Sequence, residues 1–448
     1  MQTVAERPRL ALAIPAERWL LGIVVMLLPL RELSPVLRSV LSPGVILSAP
    51  LLVVAVSRLG RYKYGWMLGI TYLAVLVTAP LLWITPGGRE IQWGYGWLAI
   101  LTLFVSFVHL VVLLWARDRI GTRLTLALYA IGMICQVILT LDHTNDNAWK
   151  FGLAVPITLL GLVIASRGRP FWSVLVLLAV AYVSILCGFR SFVAFAIVAV
   201  IGWVWNARSN LRSGWKLVGF AAVGVLAYWA GTQAALAGWL GERNRIVTEQ
   251  QIEAAGSVIA GGRVESTASF ALFAARPIGI GPGVLPLPSD IAVGETALVG
   301  RGVNIDGQYV NDYLFGAGVK LHSIVADLWV NYGLIGLALA LLLAWITIRA
   351  LVRALSDRAT PIITFFLIVV VLWDLAFSPI GTNLWETILA LAMLLPMSLT
   401  RNGIDESVPA PNHMSASFDE SAINQHATAT KVQFSVNSQP RVKLNADY

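Results

Sequence analysis

His322-Ser323 stands where the polar stretch 241–321 gives way to a long apolar run. An imidazole at such a junction titrates near neutrality, so it can take up a proton or hold an anion by a hydrogen bond. Within the same stretch lie Arg263, in Gly262-Arg263-Val264-Glu265, and Arg276, in Ala275-Arg276-Pro277. A third arginine, Arg190, sits in Cys187-Gly188-Phe189-Arg190-Ser191, between two apolar runs that leave almost no loop. Guanidinium groups present paired donors that match the oxygens of a phosphate. An arginine at the edge of hydrocarbon must find a partner or extend toward water. Cations and an imidazole brought together would suit the departure of an anionic leaving group. Each residue also has a plainer reading: a structural histidine, surface ion pairs for the loop arginines, and lipid-headgroup anchoring for Arg190.

Other candidates are weaker. The turn Gly279-Ile280-Gly281-Pro282-Gly283 would let backbone approach a ligand closely, with Gly281 and Gly283 as contacts, although a turn beside a membrane needs no ligand. Asp374 and Glu386, near the ends of their apolar runs, are possible partners for the arginines. Asp142, His143 and Asp146 have loose spacing, Cys135 and Cys187 lie in apolar runs, and no metal site is expected. His109, inside an apolar run, is read as hydrogen-bonded to a neighbouring helix.

The elements that must position these residues are membrane helices. Of 448 residues, 12% are charged and 57% hydrophobic, whereas an average soluble chain is roughly 25% charged. So little charge cannot cover a soluble surface, and the fold class expected is an all-α polytopic membrane protein. Apolar runs near the length that spans hydrocarbon occur at 18–30, 40–57, 66–85, 95–116, 122–141, 151–166, 171–188, 190–206, 216–240, 322–348, 360–378 and 384–399. These twelve predicted spans divide the chain into a membrane domain at 1–240, a large loop with short helices at 241–321, three further spans at 322–400, and a polar tail at 401–448. The tail, rich in Ser, Asn, Ala and Pro, reads as disordered. The first segment, with Arg7, Arg9 and Arg18 ahead of it, reads as a retained signal anchor.

With the N-terminus inside, the inner loops carry Arg58, Arg61 and Lys63; Arg117, Arg119 and Arg123; Arg167 and Arg169; Arg208, Arg212 and Lys216; and Arg349, Arg353 and Arg358. The short outer loops carry Arg31, Arg38, Arg89, Lys150 and Arg190. Alternate loops therefore follow the positive-inside pattern, which places both termini in the cytoplasm and 241–321 outside. The formal charge of +8 is topological, and no nucleic-acid partner is implied.

These motifs, in this order, resemble the O-antigen ligase and polymerase superfamily of bacterial membrane glycan transferases. The run His322-Ser323, Asp327, Gly333-Leu334-Ile335-Gly336 resembles its C-terminal signature. Arg190-Ser191 matches its arginine at the outer start of an earlier span, and Gly262-Arg263, Pro277 and Gly279 to Gly283 follow the order within its large periplasmic loop. The resemblance covers roughly 185–340 by motif and the rest by the twelve-span layout. Ser323 stands where Asn is commoner, Ala326 where Leu is usual, and Asn331 where a glutamate is often found.

Membership would imply an inverting, metal-independent transferase of the bacterial inner membrane, without cofactor, whose active site faces the periplasm. Its donor would be a glycan on undecaprenyl pyrophosphate and its acceptor a hydroxyl of a second glycan. Arg190 and Arg263 would hold the pyrophosphate, with Arg276 as a weaker third, and His322 would act as base or pyrophosphate ligand. Ser323, Asp327, Gly281 and Gly283 would contact substrate, and Trp329, Trp93, Tyr95 and Trp97 are candidates to stack on sugars. The expected reaction is polymerisation of exopolysaccharide or O-antigen repeats, alongside a flippase and a chain-length regulator of the same pathway. The alternatives are a ligase that attaches the finished chain to lipid A-core and, in a different class, a transporter of polysaccharide or lipid-linked glycan. Against the transporter, the charged groups collect at the outer rim rather than midway through the bilayer.

Overall fold

The computed structural model describes residues 16–33, 40–84, 88–140, 147–303, 305, 308–316 and 318–398. The predicted tail and the cluster Asp142, His143 and Asp146 lie outside these residues. Among the described residues there are helices and no strands, and a helix stands at every predicted apolar segment. They are α1 (Ala16–Leu27), α2 (Pro43–Arg61), α3 (Gly65–Trp83), α4 (Trp93–Ile120), α5 (Thr122–Thr140), α6 (Trp149–Ala165), α7 (Pro170–Leu186), α8 (Arg190–Arg208) and α9 (Ser213–Leu236). After the intervening stretch come α15 (Ile324–Ser356), α16 (Ile362–Phe377) and α17 (Ile380–Leu394). Seven of these helices are long and apolar enough to cross a membrane, and α6, α7, α16 and α17 are apolar but shorter. This is the architecture of a polytopic membrane protein.

The stretch 241–321 is not an open loop. It folds into α10 (Glu242–Ala255), α11 (Val258–Gly262), α12 (Glu265–Ala275), α13 (Pro288–Val299) and α14 (Tyr309–Leu314, a π-helix). Ala268, Leu272, Ile280, Leu298, Val310, Leu314 and Leu321 form a core separate from that of the membrane helices, completed by Trp329 and Val330 from α15. The apolar positions scattered through this stretch thus have a helical face to fill, and α15 supplies the floor.

Two devices dock the stretch. Arg276 Nε donates to Asp290 Oδ1 at 2.7 Å, and Arg89, from the segment between α3 and α4, donates to Asp290 Oδ2 at 2.8 Å. Burial pushes the Asp290 carboxyl up, but Arg276, Arg89 and the Leu287 N–H outweigh it and hold it below the usual carboxylate range. The second device is a break in α15. Gly333 has φ 69° and ψ −157°, so the helical ladder opens and Val330 O accepts from the Ile280 and Gly281 N–H groups at 2.8 and 3.0 Å. A Cβ on Gly333 would lie 2.8 Å from Ile278 O. Gly333→Ala would combine that clash with a left-handed backbone costing roughly 1–2 kcal/mol by itself. A melting temperature several degrees below the parent's is expected in detergent, and an unchanged one would show that the break is not required.

Candidate functional site

The start of α15 is built to present His322. Ser323 caps the helix, its Oγ accepting from Ala326 N at 3.3 Å and donating to Leu375 O at 2.9 Å. Asp327, 3% exposed, accepts from Leu321 N at 2.8 Å and Ile380 N at 3.0 Å, tying the turn before the helix to the start of α17. Between these anchors His322 is held at φ 49°. A non-glycine residue in the left-handed region costs on the order of 1–3 kcal/mol and persists where the surroundings over-determine it. Here the strained turn directs the imidazole toward α12 and α14.

Three groups meet the ring. Glu265 Oε1 and the Tyr309 hydroxyl each lie 3.3 Å from Nδ1, and the Tyr313 hydroxyl lies 3.5 Å from Nε2. The two tyrosines stack on each other at 5.5 Å, one helical turn apart on α14. Burial and the Arg263 charge push the imidazole down to about 4, so it is neutral at physiological pH. Burial also raises the Glu265 carboxyl, against its own backbone N–H and Arg263. Burial, with the charges of Asp327 and Glu265, moves Tyr313 up to about 12.

Arg263, Glu265, Ser266, Ser269, His322 and Ser323 line one part of a cavity of about 430 Å³. The remaining walls are apolar: Phe270 and Phe273 of α12, Leu321, Val325, Ala326, Trp329 and Leu337 from the α15 side, and Ala376 and Phe377 at the end of α16. Arg263 donates to Gly262 O at 3.2 Å, while its Nε is buried without a hydrogen-bond partner, as is Glu265 Oε2.

Arg190 heads α8 and donates to Thr248 Oγ1 at 2.5 Å and to Gln251 Oε1 at 3.1 Å, both on α10. Both partners are neutral. Gln251 also packs under Gly261 and Gly262, which makes Arg190, Gln251 and the segment bearing Arg263 contiguous. Lys150, from the start of α6, is within electrostatic range of Arg263, Arg190 and Arg243. Lys150 of α6 therefore feels cations from α8, α10 and the α11–α12 junction.

No family model, curated protein or solved structure matches the chain.

Of the residues singled out in the sequence, His322, Arg263 and Ser323 share the cavity, and Arg190 stands beside it. Arg276 is engaged with Asp290 and does not line the cavity. Asp327 holds backbone rather than facing the cavity. The glycine turn packs against the protein itself: a Cβ on Gly279 would meet Trp329 O at 2.7 Å, one on Gly281 the Val284 side chain at 2.9 Å and Leu82 at 3.2 Å, and one on Gly283 the Gly96 nitrogen at 2.4 Å. Trp329 is 2% exposed, with its Nε1 donating to Pro277 O, and it forms part of the cavity wall. Trp93, Tyr95 and Trp97 remain more than half exposed.

Asp374 does not meet the arginines. It accepts from Ser378, Asn383 and Thr387. Glu386 lines a separate small cavity with Arg31 and His109. His109 itself bonds the Leu28 and Val105 carbonyls, as its position in an apolar run suggested.

Residues that sequence reasoning did not select are Tyr309, Tyr313, Glu265, Lys150 and Arg243. Helical spacing of the two tyrosines and the proximity of Glu265 to Arg263 were visible signals. Nothing local connects Lys150 or Arg243 to Arg263.

Proposed function

We propose that this protein is a glycosyltransferase of the bacterial inner membrane, working at its periplasmic face. It moves a glycan from undecaprenyl pyrophosphate to a hydroxyl of a second glycan, and its products are lengthening chains of repeat units. The observation that carries this reading is the positive surrounding of Lys150, which lies within electrostatic range of Arg190, Arg243 and Arg263. Arg190 is hydrogen-bonded to neutral groups, and Arg263 keeps an unpartnered donor. Cations that outnumber the nearby acid, Glu265, leave a net positive charge that a polyanion relieves. An apolar-walled cavity with His322 at its polar part adjoins them.

The chemistry follows from this arrangement. Because a polyprenyl tail comes from the bilayer, apolar walls add little affinity over lipid and serve to orient the donor. The arginines must supply the grip, and they stabilise the charge that grows on the pyrophosphate as the glycosidic C–O bond breaks. His322, neutral at working pH, accepts the proton of the attacking hydroxyl. The reading includes twelve spans with both termini cytoplasmic, supported by the distribution of Lys and Arg, and it agrees with the family resemblance of 185–340.

The test uses purified protein and an undecaprenyl pyrophosphate-linked repeat unit, with no other acceptor, followed by gel and mass analysis. A ladder of lengthening chains, unaffected by chelator, is expected. Product formed only after lipid A-core is added would make the protein a ligase. Silence in both reactions would reject glycan transfer and favour transport.

A further inference from the structure

We infer that Glu265 is a positioning residue: its carboxylate holds the Nδ1–H of His322, so that Nε2 turns its lone pair to the acceptor hydroxyl. This inference rests on the glycan-transfer reading of the same site.

The first reason is the place of the carboxylate. Among the described residues lining the cavity, Glu265 is the only acid, and it stands two residues from Arg263. A negative charge there opposes the binding of pyrophosphate. A site that needed only to grip an anion would bind it better with a neutral residue at 265. Besides its own backbone N–H and the Arg263 charge, the carboxyl meets one side chain that could take part in proton transfer, His322, at 3.3 Å.

The second reason is the shared geometry of the imidazole. Nδ1 faces Glu265 Oε1 and the Tyr309 hydroxyl, while Nε2 faces the Tyr313 hydroxyl. A carboxylate can only accept, so it selects the tautomer with hydrogen on Nδ1. Nε2 is then an acceptor, and the Tyr313 O–H can donate to it. A sugar hydroxyl displaces that contact. Backbone left-handed at His322 keeps the ring in this register, and Glu265, first residue of α12, is 4% exposed and fixed in place.

The third reason is basicity. An imidazole pressed by burial and by Arg263 is a poor base when isolated. As the acceptor O–H breaks and its oxygen bonds the sugar C1, the C1–O bond to phosphate breaks and its electron pair leaves with the pyrophosphate. The proton goes to Nε2, and the adjacent carboxylate stabilises the imidazolium formed. This is the logic of an acid that orients and supports a histidine without taking its proton.

Two measurements test the inference on full-length protein in detergent, with Glu265→Gln and Glu265→Asp monitored for folding by size exclusion and thermal melting. The first is steady-state transfer. Glu265→Gln should lower kcat about 100-fold or more, with the acid limb of its pH profile displaced. The KM for the polyprenyl pyrophosphate donor should be unchanged or lower, since a negative charge has left an anion site. Glu265→Asp, which keeps the charge, should recover at least part of the rate. A raised donor KM at unchanged kcat would overturn the inference, because Glu265 would then be a binding or packing residue.

The second measurement needs no turnover. The unprotonated imidazole nitrogen attacks a carbonyl carbon of diethyl pyrocarbonate and expels ethyl carbonate, and the modified His322 peptide is quantified by mass spectrometry. A Gln amide can donate to Nδ1 and turn the ring to the other tautomer, placing hydrogen on Nε2. Carbethoxylation of His322 should therefore slow about tenfold in Glu265→Gln and stay near the parent rate in Glu265→Asp. Equal rates in parent and Glu265→Gln would overturn the inference even if transfer is confirmed. Absence of transfer in the parent, with the slowed labelling still observed, would reject the glycan-transfer reading while retaining the contact.

Discussion

Replacing His322 with alanine is expected to lower glycan transfer by roughly 10²- to 10⁴-fold, the usual contribution of a positioned proton acceptor, while membrane insertion and thermal stability stay near those of the parent. The side chain is partly exposed, and its polar contacts are with Glu265, Tyr309 and Tyr313. None of those contacts is part of the helix cap or the Asp327 anchor. Histidine is one of the residues better tolerated in the left-handed region, so alanine adds a small strain at φ 49° but removes no anchor. The loss should therefore appear in kcat of well-folded protein. A ladder from His322→Ala equal to the parent's in length and rate would remove His322 from the mechanism. Loss of activity together with loss of the folded peak would instead make the residue structural.

Arg263→Lys and Arg190→Lys are the second pair, each expected to reduce kcat/KM about 100-fold even though the charge is kept. Removing one preorganised donor to a developing oxyanion typically costs on the order of 10²- to 10³-fold, and lysine loses the planar fork that spans two oxygens. Arg190 illustrates the reason. It already uses two nitrogens to hold Thr248 and Gln251, and the same fork has further N–H groups for a ligand. A lysine could satisfy one neighbour or the ligand, but not hold the same geometry to both. Arg263 differs, since its buried Nε has no partner; lysine would remove that donor while keeping the positive charge beside His322. Because burial is the main cause of the neutral His322 and the charge is kept, the acid limb of the pH profile should stay near the parent's in both variants. Parent-like turnover by both lysine variants would refute the clamp.

Arg276 provides the contrast. Its place in Ala275-Arg276-Pro277 looks as suitable as that of Arg263, but Asp290 lies 2.7 Å from it and Arg89 shares the same carboxylate. An arginine whose fork is occupied by an acid docks α12 to α13. One whose neighbours are neutral is available to an anion. That distinction depends on which carboxylate arrives, and Asp290 arrives through the turn of α13 rather than through any spacing near Arg276.

Much about this protein is settled by composition and order. Scarce charge and long apolar runs require membrane helices because hydrocarbon leaves no other way to satisfy the backbone, and a helix stands at every segment where the sequence placed one. Glycine at 333 and serine at 323 permit the break and the N-cap, although nothing in the sequence singled out either residue for that role. Tertiary structure decided what no local pattern carries: that Lys150 lies within electrostatic range of Arg190, Arg243 and Arg263, that Glu265 and two tyrosines contact His322, and that Gly281 and Gly283 pack against α3 and α4. The physical reason is range. Helix formation and hydrophobic periodicity act over a few residues, whereas the charge environment of a side chain is set by groups within several ångströms of it, here drawn from helices more than a hundred residues apart in the chain.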